Sequence, residues 1–136
     1  MSRFNYGNQD KGYVMPEHAT LVNKTPILFG EQDRFLGLGV MEIRGDKFIV
    51  FMDLSDGKVF IEESFATHAM GDFLVGLNYI NDDKLWNMCV YAANGYGLTS
   101  QEHITECVKT LNLKSSNPIV KDILNGKPPG TASLIK

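Results

Sequence analysis

The chain has 136 residues, 43% of them hydrophobic, with 13 basic and 16 acidic side chains and a formal net charge of −3. This length and apolar content suit a single domain with one ordinary core, and they exclude a disordered chain. The near balance of charge excludes a globally basic nucleic-acid coat protein and an extreme acidic mimic of DNA.

The first 17 residues mix asparagine, glycine and aromatic side chains without any period, which predicts an irregular N-terminal arm. They contain no apolar run of the kind that a secretory signal needs. The longest nearly uncharged apolar stretch, residues 73–80, is far shorter than the roughly 20 residues that span a bilayer. We therefore expect a cytoplasmic location, with association with a virion as the alternative.

Two short apolar runs follow the arm, at residues 19–22 and 26–29, and each predicts a weak strand. Pro26 cannot donate a ladder hydrogen bond, so it keeps the second run at a strand start or a sheet edge. A stronger β pattern follows these two runs in the sequence.

Between residues 36 and 65, apolar and β-branched runs are separated by two turn sequences, Arg44-Gly45-Asp46 and Ser55-Asp56-Gly57-Lys58. This pattern predicts a three-stranded antiparallel meander. Gly37 and Gly39 predict a bulge in the first strand, with curvature that would allow barrel-like closure. The middle strand has apolar side chains on both faces and is expected at the centre of the sheet: Phe48, Val50 and Met52 on one, Ile49 and Phe51 on the other.

After residue 65 the apolar period changes from 2 to 3.6, which predicts three to four helices. A helix is expected over residues 70–80, with a strand as the competing interpretation. The later helices have polar caps at their starts: Asp82 and Asp83, then Thr99 or Ser100, then Asn117 before Pro118.

Because the strands come first and the helices last, the order predicts an α+β fold with an N-terminal antiparallel meander. We expect one α+β domain over residues 18–126, preceded by the irregular arm of residues 1–17 and followed by a flexible tail, residues 127–136. Cys89 and Cys107 fall on apolar helix faces and are interpreted as reduced core thiols. No cluster of acidic, histidine or cysteine side chains has ligand spacing, so neither a metal site nor a cofactor is expected.

Two His-x-Thr triplets occur in the chain, His18-Ala19-Thr20 and His103-Ile104-Thr105. The pair resembles the paired motif of two-histidine phosphodiesterases. That resemblance implies His18 and His103 as general base and acid, with Thr20 and Thr105 holding the phosphate. It covers two tripeptides only, and the helix expected around His103 would turn Thr105 away from that histidine. An enzyme of this kind is one alternative function.

The only basic part of the chain lies at its helical end, where residues 99–136 hold five basic and three acidic side chains. Two capped helices in residues 98–124 resemble a helix-turn-helix and give a second alternative, nucleic-acid binding. The residues that would contact phosphates or bases are Lys114, Asn117, Lys121 and Lys127.

With neither alternative favoured, we interpret the chain as a non-catalytic module that binds a protein, as an inhibitor, an adaptor or an assembly component. A homo-oligomer is a further option. In its size and asparagine content the chain is similar to phage accessory proteins. Interfaces favour aromatic and aliphatic contacts, so the predicted contact residues are Tyr6, Tyr13, Tyr96, Leu134 and Ile135.

Overall fold

A computed structural model describes residues 19–64, 77–127 and 134–135 of the chain. It shows a mixed sheet of seven strands and three α-helices, which confirms the predicted α+β class. The strands are β1 (Ala19–Asn23), β2 (Ile27–Phe29), β3 (Phe35–Ile43), β4 (Asp46–Asp53), β5 (Val59–Ser64), β6 (Leu77–Asn78) and β7 (Leu134–Ile135). The helices are α1 (Asp83–Gly95), α2 (Gln101–Thr110) and α3 (Pro118–Leu124), and a 3₁₀ turn, Glu31–Asp33, precedes β3.

Strands β3, β4 and β5 form the predicted antiparallel meander, with β4 at its centre. Ile43 pairs with Asp46 across a two-residue turn. In that turn Arg44 and Gly45 both have positive φ, 56° and 88°. Two consecutive positive φ angles are typical of a type I′ turn, whose twist matches that of the strands it joins. The turn sequence therefore fixes the register of the first hairpin.

Both edges of the meander are extended by short strands. On β3, β1 and β2 lie one after the other along the outer edge, and both pair antiparallel. On β5, β6 pairs antiparallel and β7 pairs parallel. The sheet is open between these two edges in the described part of the chain, so the barrel-like closure is not formed. Strand β7 lies within residues 127–136, for which the sequence predicts a flexible tail.

The predicted bulge is present in β3. Pairing with β4 passes from Gly37 opposite Phe51 to Gly39 opposite Val50, which leaves Leu38 as the extra residue. A bulge of this kind bends its strand and removes one residue from the ladder. The bend brings Gly39 against the buried side chain of Leu98, in the segment between α1 and α2.

The two faces of the sheet carry different cores. Phe48, Val50 and Met52 of β4 belong to the larger cluster, which also contains the buried residues of all three helices. Ile49 and Phe51 point the other way and join Phe29 in a smaller cluster. Phe51 lies 5.4 to 5.5 Å, between ring centroids, from three other rings: Phe29, Phe35 and Phe60. The central position predicted for this strand is confirmed.

The helix starts agree with the caps expected from the sequence. Asp82 accepts hydrogen bonds from the amides of Lys84 and Leu85, and Ser100 accepts one from the amide of His103. The helix predicted over residues 70–80 falls largely outside the described residues, and its described part includes strand β6. None of the helices in the described ranges is long and apolar enough to cross a lipid bilayer.

Candidate functional site

A cleft of about 580 Å³ opens at one end of the sheet. There the β2–β3 connection, the β4–β5 turn and the start of α3 meet. Its volume lies in the range that ligand-binding clefts occupy. The lining residues are Glu31, Gln32, Asp33, Arg34, Phe35, Leu54, Ser55 and Asn117.

An ion pair organises the wall of the cleft. Arg34 donates from Nε to both carboxylate oxygens of Asp53, at 3.1 Å each, and from Nη2 to Oδ2 at 2.8 Å. Asp53 ends β4 and is 4% exposed. Its Oδ1 also accepts from the amide of Ser55 at 2.9 Å and from the Ser55 hydroxyl at 2.6 Å. The carboxylate is therefore held by two residues from two different connections.

These hydrogen bonds decide the charge of Asp53. Burial by itself acts to raise the pKa of its carboxyl, but the hydrogen bonds from Arg34 and Ser55 outweigh burial and lower that pKa to about 2. The same pair raises the pKa of Arg34. At neutral pH both groups are ionised, so the wall of the cleft contains a fixed, internally neutralised pair.

One edge of the Arg34 guanidinium makes no hydrogen bond to any described residue. Its side chain is 55% exposed, and its central carbon lies 5.3 Å from the centroid of the Phe35 ring. Nε and Nη2 are engaged with Asp53, whereas Nη1 has no acceptor among the described residues. Because the ion pair and the ring fix the plane of the guanidinium, the Nη1 donors are oriented in advance.

The rim of the cleft is acidic and conformationally unusual. Glu31, Gln32 and Asp33 are exposed. Gln32 and Asp33 both have φ of 56°, in the left-handed region that few residues other than glycine adopt. Hydrogen bonds from the amide of Asp33 to the carbonyl of Gly30 and from the amide of Arg34 to the carbonyl of Glu31 hold this turn. Such conformations persist where the surrounding structure determines them, and they cluster at functional sites.

Asn117 fastens α3 to the cleft. Its Oδ1 accepts from the amides of Ile119 and Val120, at 2.8 and 3.3 Å, which caps the helix. Its Nδ2 donates to the carbonyl of Leu54 at 3.2 Å. The amide of Leu54 in turn donates to the carbonyl of Arg34 at 2.8 Å. One side chain thus links α3 to the β4–β5 turn, which is itself bonded to the β2–β3 connection at Arg34.

Replacing Asn117 separates these two roles. Asn117→Ala removes the cap and the link, and we expect it to lower the free energy of unfolding by about 1 to 2 kcal/mol. Asn117→Asp keeps a capping oxygen but has no donor for the Leu54 carbonyl, so it should lose less. Urea unfolding of the two variants measures the difference. Equal losses would show that the cap contributes nothing beyond the link to Leu54.

Among the predicted protein-contact residues that the structure describes, none lines the cleft. Tyr6 and Tyr13 lie outside the described residues. Tyr96 is half-buried against the larger cluster, and its hydroxyl donates to the carbonyl of Ala19 at 2.9 Å. Leu134 and Ile135 form β7 and are both half-buried. A contact role for these residues stays a prediction.

Of the four residues predicted to contact nucleic acid, three are exposed lysines and one is an asparagine bonded within the protein. Lys114, Lys121 and Lys127 are exposed. Both polar atoms of the Asn117 amide, by contrast, are engaged in the cap and in the bond to Leu54. Asn117 is therefore committed within the protein rather than presented to a base edge.

His103, the histidine of the second His-x-Thr triplet, forms a hydrogen bond with the bulge in β3. His103 Nε2 lies 2.7 Å from the carbonyl oxygen of Leu38, and because a carbonyl can only accept, Nε2 carries the proton and donates. Leu38 is the residue that the bulge removes from the ladder, so this bond replaces a lost partner. Thr20 is exposed on β1, and His18 lies outside the described residues.

Cys89 and Cys107 are free and buried, as the sequence predicted. Burial raises the pKa of Cys89 to about 12 and that of Cys107 to about 11, so both are protonated thiols at neutral pH. Cys107 Sγ lies 3.4 Å from His103 Nε2, whose proton already goes to Leu38. Within the described ranges, no three His, Cys, Asp or Glu side chains lie together in a way that could hold a metal ion.

Comparison of the chain with protein-family models, with curated proteins and with solved structures finds no match.

Proposed function

We propose that the chain is a non-catalytic module that binds a protein partner through the cleft between β3, the β4–β5 turn and α3. The single observation that carries this proposal is the guanidinium of Arg34. It is fixed in a concave site by Asp53 and keeps its Nη1 donors uncommitted among the described residues. A fixed donor loses little conformational freedom on binding, which favours affinity.

The lining residues support a partner segment of a particular kind. Nη1 of Arg34 suits a carbonyl or carboxylate oxygen. The carboxylates of Glu31 and Asp33 on the rim favour a basic side chain, while Phe35 and Leu54 add apolar surface. Because Asp53 neutralises Arg34, the acidic rim determines the charge that an approaching partner meets. A loop with a basic side chain beside an exposed backbone carbonyl satisfies both features.

Charge reversal on the rim tests the proposal. The doubly substituted chain Glu31→Lys with Asp33→Lys should lose at least tenfold of the protein partner recovered by a tagged wild-type chain from lysate of its source cells, because it repels a basic segment. The matched control carries the same charge reversal to lysine at Asp46 and Glu106, which are exposed and do not line the cleft. Recovery is measured by quantitative mass spectrometry after nuclease treatment.

Two results would contradict the proposal. In one, the rim variant and the control variant recover the same protein in the same amount. In the other, the recovered material disappears with nuclease, which would direct attention to Lys114, Lys121 and Lys127 instead.

A further inference from the structure

The outer edge of β5 is divided between two very short strands. Leu134 and Ile135 of β7 pair in parallel with Val59 and Phe60. Strand β6 begins its pairing only at Glu63. In the described part of the chain no strand pairs with Ile61 or Glu62 on this edge. Unpaired backbone groups on a strand edge are a template for another strand.

The two residues of β7 fill positions on opposite faces of the sheet. Leu134 packs against the larger cluster, beside Val59. Ile135 is paired with Phe60, which belongs to the aromatic cluster on the other face. Successive residues of a strand point to opposite faces, so this part of the edge accepts two consecutive aliphatic side chains.

Charge adds a further requirement to the same edge. If a strand continued in the register of β7, its next two residues would lie opposite Ile61 and Glu62. Glu62 pairs with Ile49 in the ladder and is half-buried, and burial raises the pKa of its carboxyl. A carboxyl in such surroundings is stabilised in its charged form by a cation opposite it.

We propose that the edge of β5 from Val59 to Glu62 is a strand-addition site for a partner protein. The segment it accepts has two consecutive aliphatic residues and a basic residue two positions after the second. Leu134 and Ile135 are the chain's own occupant of the site and are displaced by the partner. None of the residues that line the cleft belongs to this edge, so the site is independent of the proposed function.

Displacement is energetically accessible because the resident strand is short. A strand of two paired residues, both half-buried, is the kind of element that opens locally at a small fraction of the global free energy of unfolding. Opening uncovers the outer backbone edge of Val59 and Phe60, while all of β5 stays paired with β4 on its other edge. In strand addition the backbone hydrogen bonds supply affinity and the alternate side-chain positions supply specificity.

The test uses the full chain and a fluorescent peptide, Thr-Ala-Ser-Leu-Ile-Thr-Lys, followed by anisotropy. Leu134→Asp weakens the internal competitor, so the variant should bind this peptide at least tenfold more tightly than the wild-type chain. Leu124→Asp is the matched control, because Leu124 is 40% exposed on α3 and should leave the affinity unchanged. Ile135→Asp is a second displacement variant with the same expected result, which keeps the test decisive if Leu134→Asp impairs folding.

Specificity is read from a second peptide in which the final lysine is glutamate. This glutamate peptide should bind the Leu134→Asp chain several-fold more weakly than the lysine peptide does. The additional substitution Glu62→Gln should make the two affinities equal. Backbone amide resonances of residues 59–62 should shift on binding, and those of β2 on the other edge should not.

Three results would overturn the proposal. The first is that neither displacement variant binds the peptide. The second is equal affinity of the wild-type, Leu134→Asp and Leu124→Asp chains. The third is a concentration-dependent wild-type dimer that Leu134→Asp abolishes, because the occupant would then be a second copy of the chain.

Discussion

Gly39→Ala is expected to lower the free energy of unfolding by about 2 kcal/mol, because the bulge leaves no room for a methyl group. A Cβ at this position would lie 2.6 Å from Cδ2 of Leu98 and 3.1 Å from the carbonyl oxygen of Asn23. Leu98 is fully buried, and Asn23 belongs to β1, so relief requires either core rearrangement or displacement of an edge strand. Urea unfolding monitored by circular dichroism measures the loss.

A double-mutant cycle identifies the cause of that loss. Leu98→Ala removes the clashing methyl groups at its own cost in cavity energy. The double substitution Gly39→Ala with Leu98→Ala should be less destabilising than the sum of the single ones, with a coupling of about 1 kcal/mol. Gly37→Ala is the comparison, because its Cβ would meet mainly the side chain of Ile27 on the short strand β2, which can yield. A loss at Gly37 equal to that at Gly39 would contradict this explanation.

Asp53→Asn is expected to destabilise the protein by about 2 kcal/mol at neutral pH and by progressively less in acid. The pKa of Asp53 is about 2 in the folded protein, against an ordinary value of 3.8. A lowered pKa means that the folded state favours the carboxylate, so this contribution is complete above pH 3.8. It is lost as the pH falls from that value toward 2, where the protonated carboxyl resembles the amide of asparagine.

The measurement is the free energy of unfolding of wild type and Asp53→Asn from pH 7 down to pH 2. The difference between the two free energies of unfolding should narrow as the pH falls from 3.8 toward 2. Arg34→Ala should also reduce the acid sensitivity of the wild-type chain, since Arg34 supplies three of the hydrogen-bond contacts to the carboxylate. A difference between wild type and Asp53→Asn that is the same at pH 7 and pH 2 would show that the ion pair does not stabilise the fold.

Much of the fold followed from local signals that act over a few residues. The Arg44-Gly45 turn, the alternation along β4 and the Asn117-Pro118 helix start each depend on neighbouring residues. Tertiary contacts reinforce these preferences rather than oppose them. The two-residue strands β6 and β7 carry no such signal, because a period cannot be recognised in two residues and their pairing depends on distant parts of the chain.

The candidate site was harder to predict for the same reason. Arg34 and Asp53 meet only because β3 and β4 pair with a bulge between them, and the sequence does not state that register. Gln32 and Asp33 adopt left-handed conformations without being glycine. The local signals that were available are the Asp53-x-Ser55 spacing at the end of a strand, typical of an Asx turn, and an arginine next to Phe35. Neither identifies a cleft by itself.

The parallel pairing of β7 with β5 also bears on the order in which the chain folds. The three helices of the described residues lie in sequence between these two strands, whereas β3, β4 and β5 are joined by short turns. Contacts between distant segments are formed late, because the loop between them must close first. We expect the meander to assemble before β7 pairs with the outer edge of β5. A nascent or refolding chain therefore passes through a stage in which a strand of another protein can pair with β5 without displacing β7.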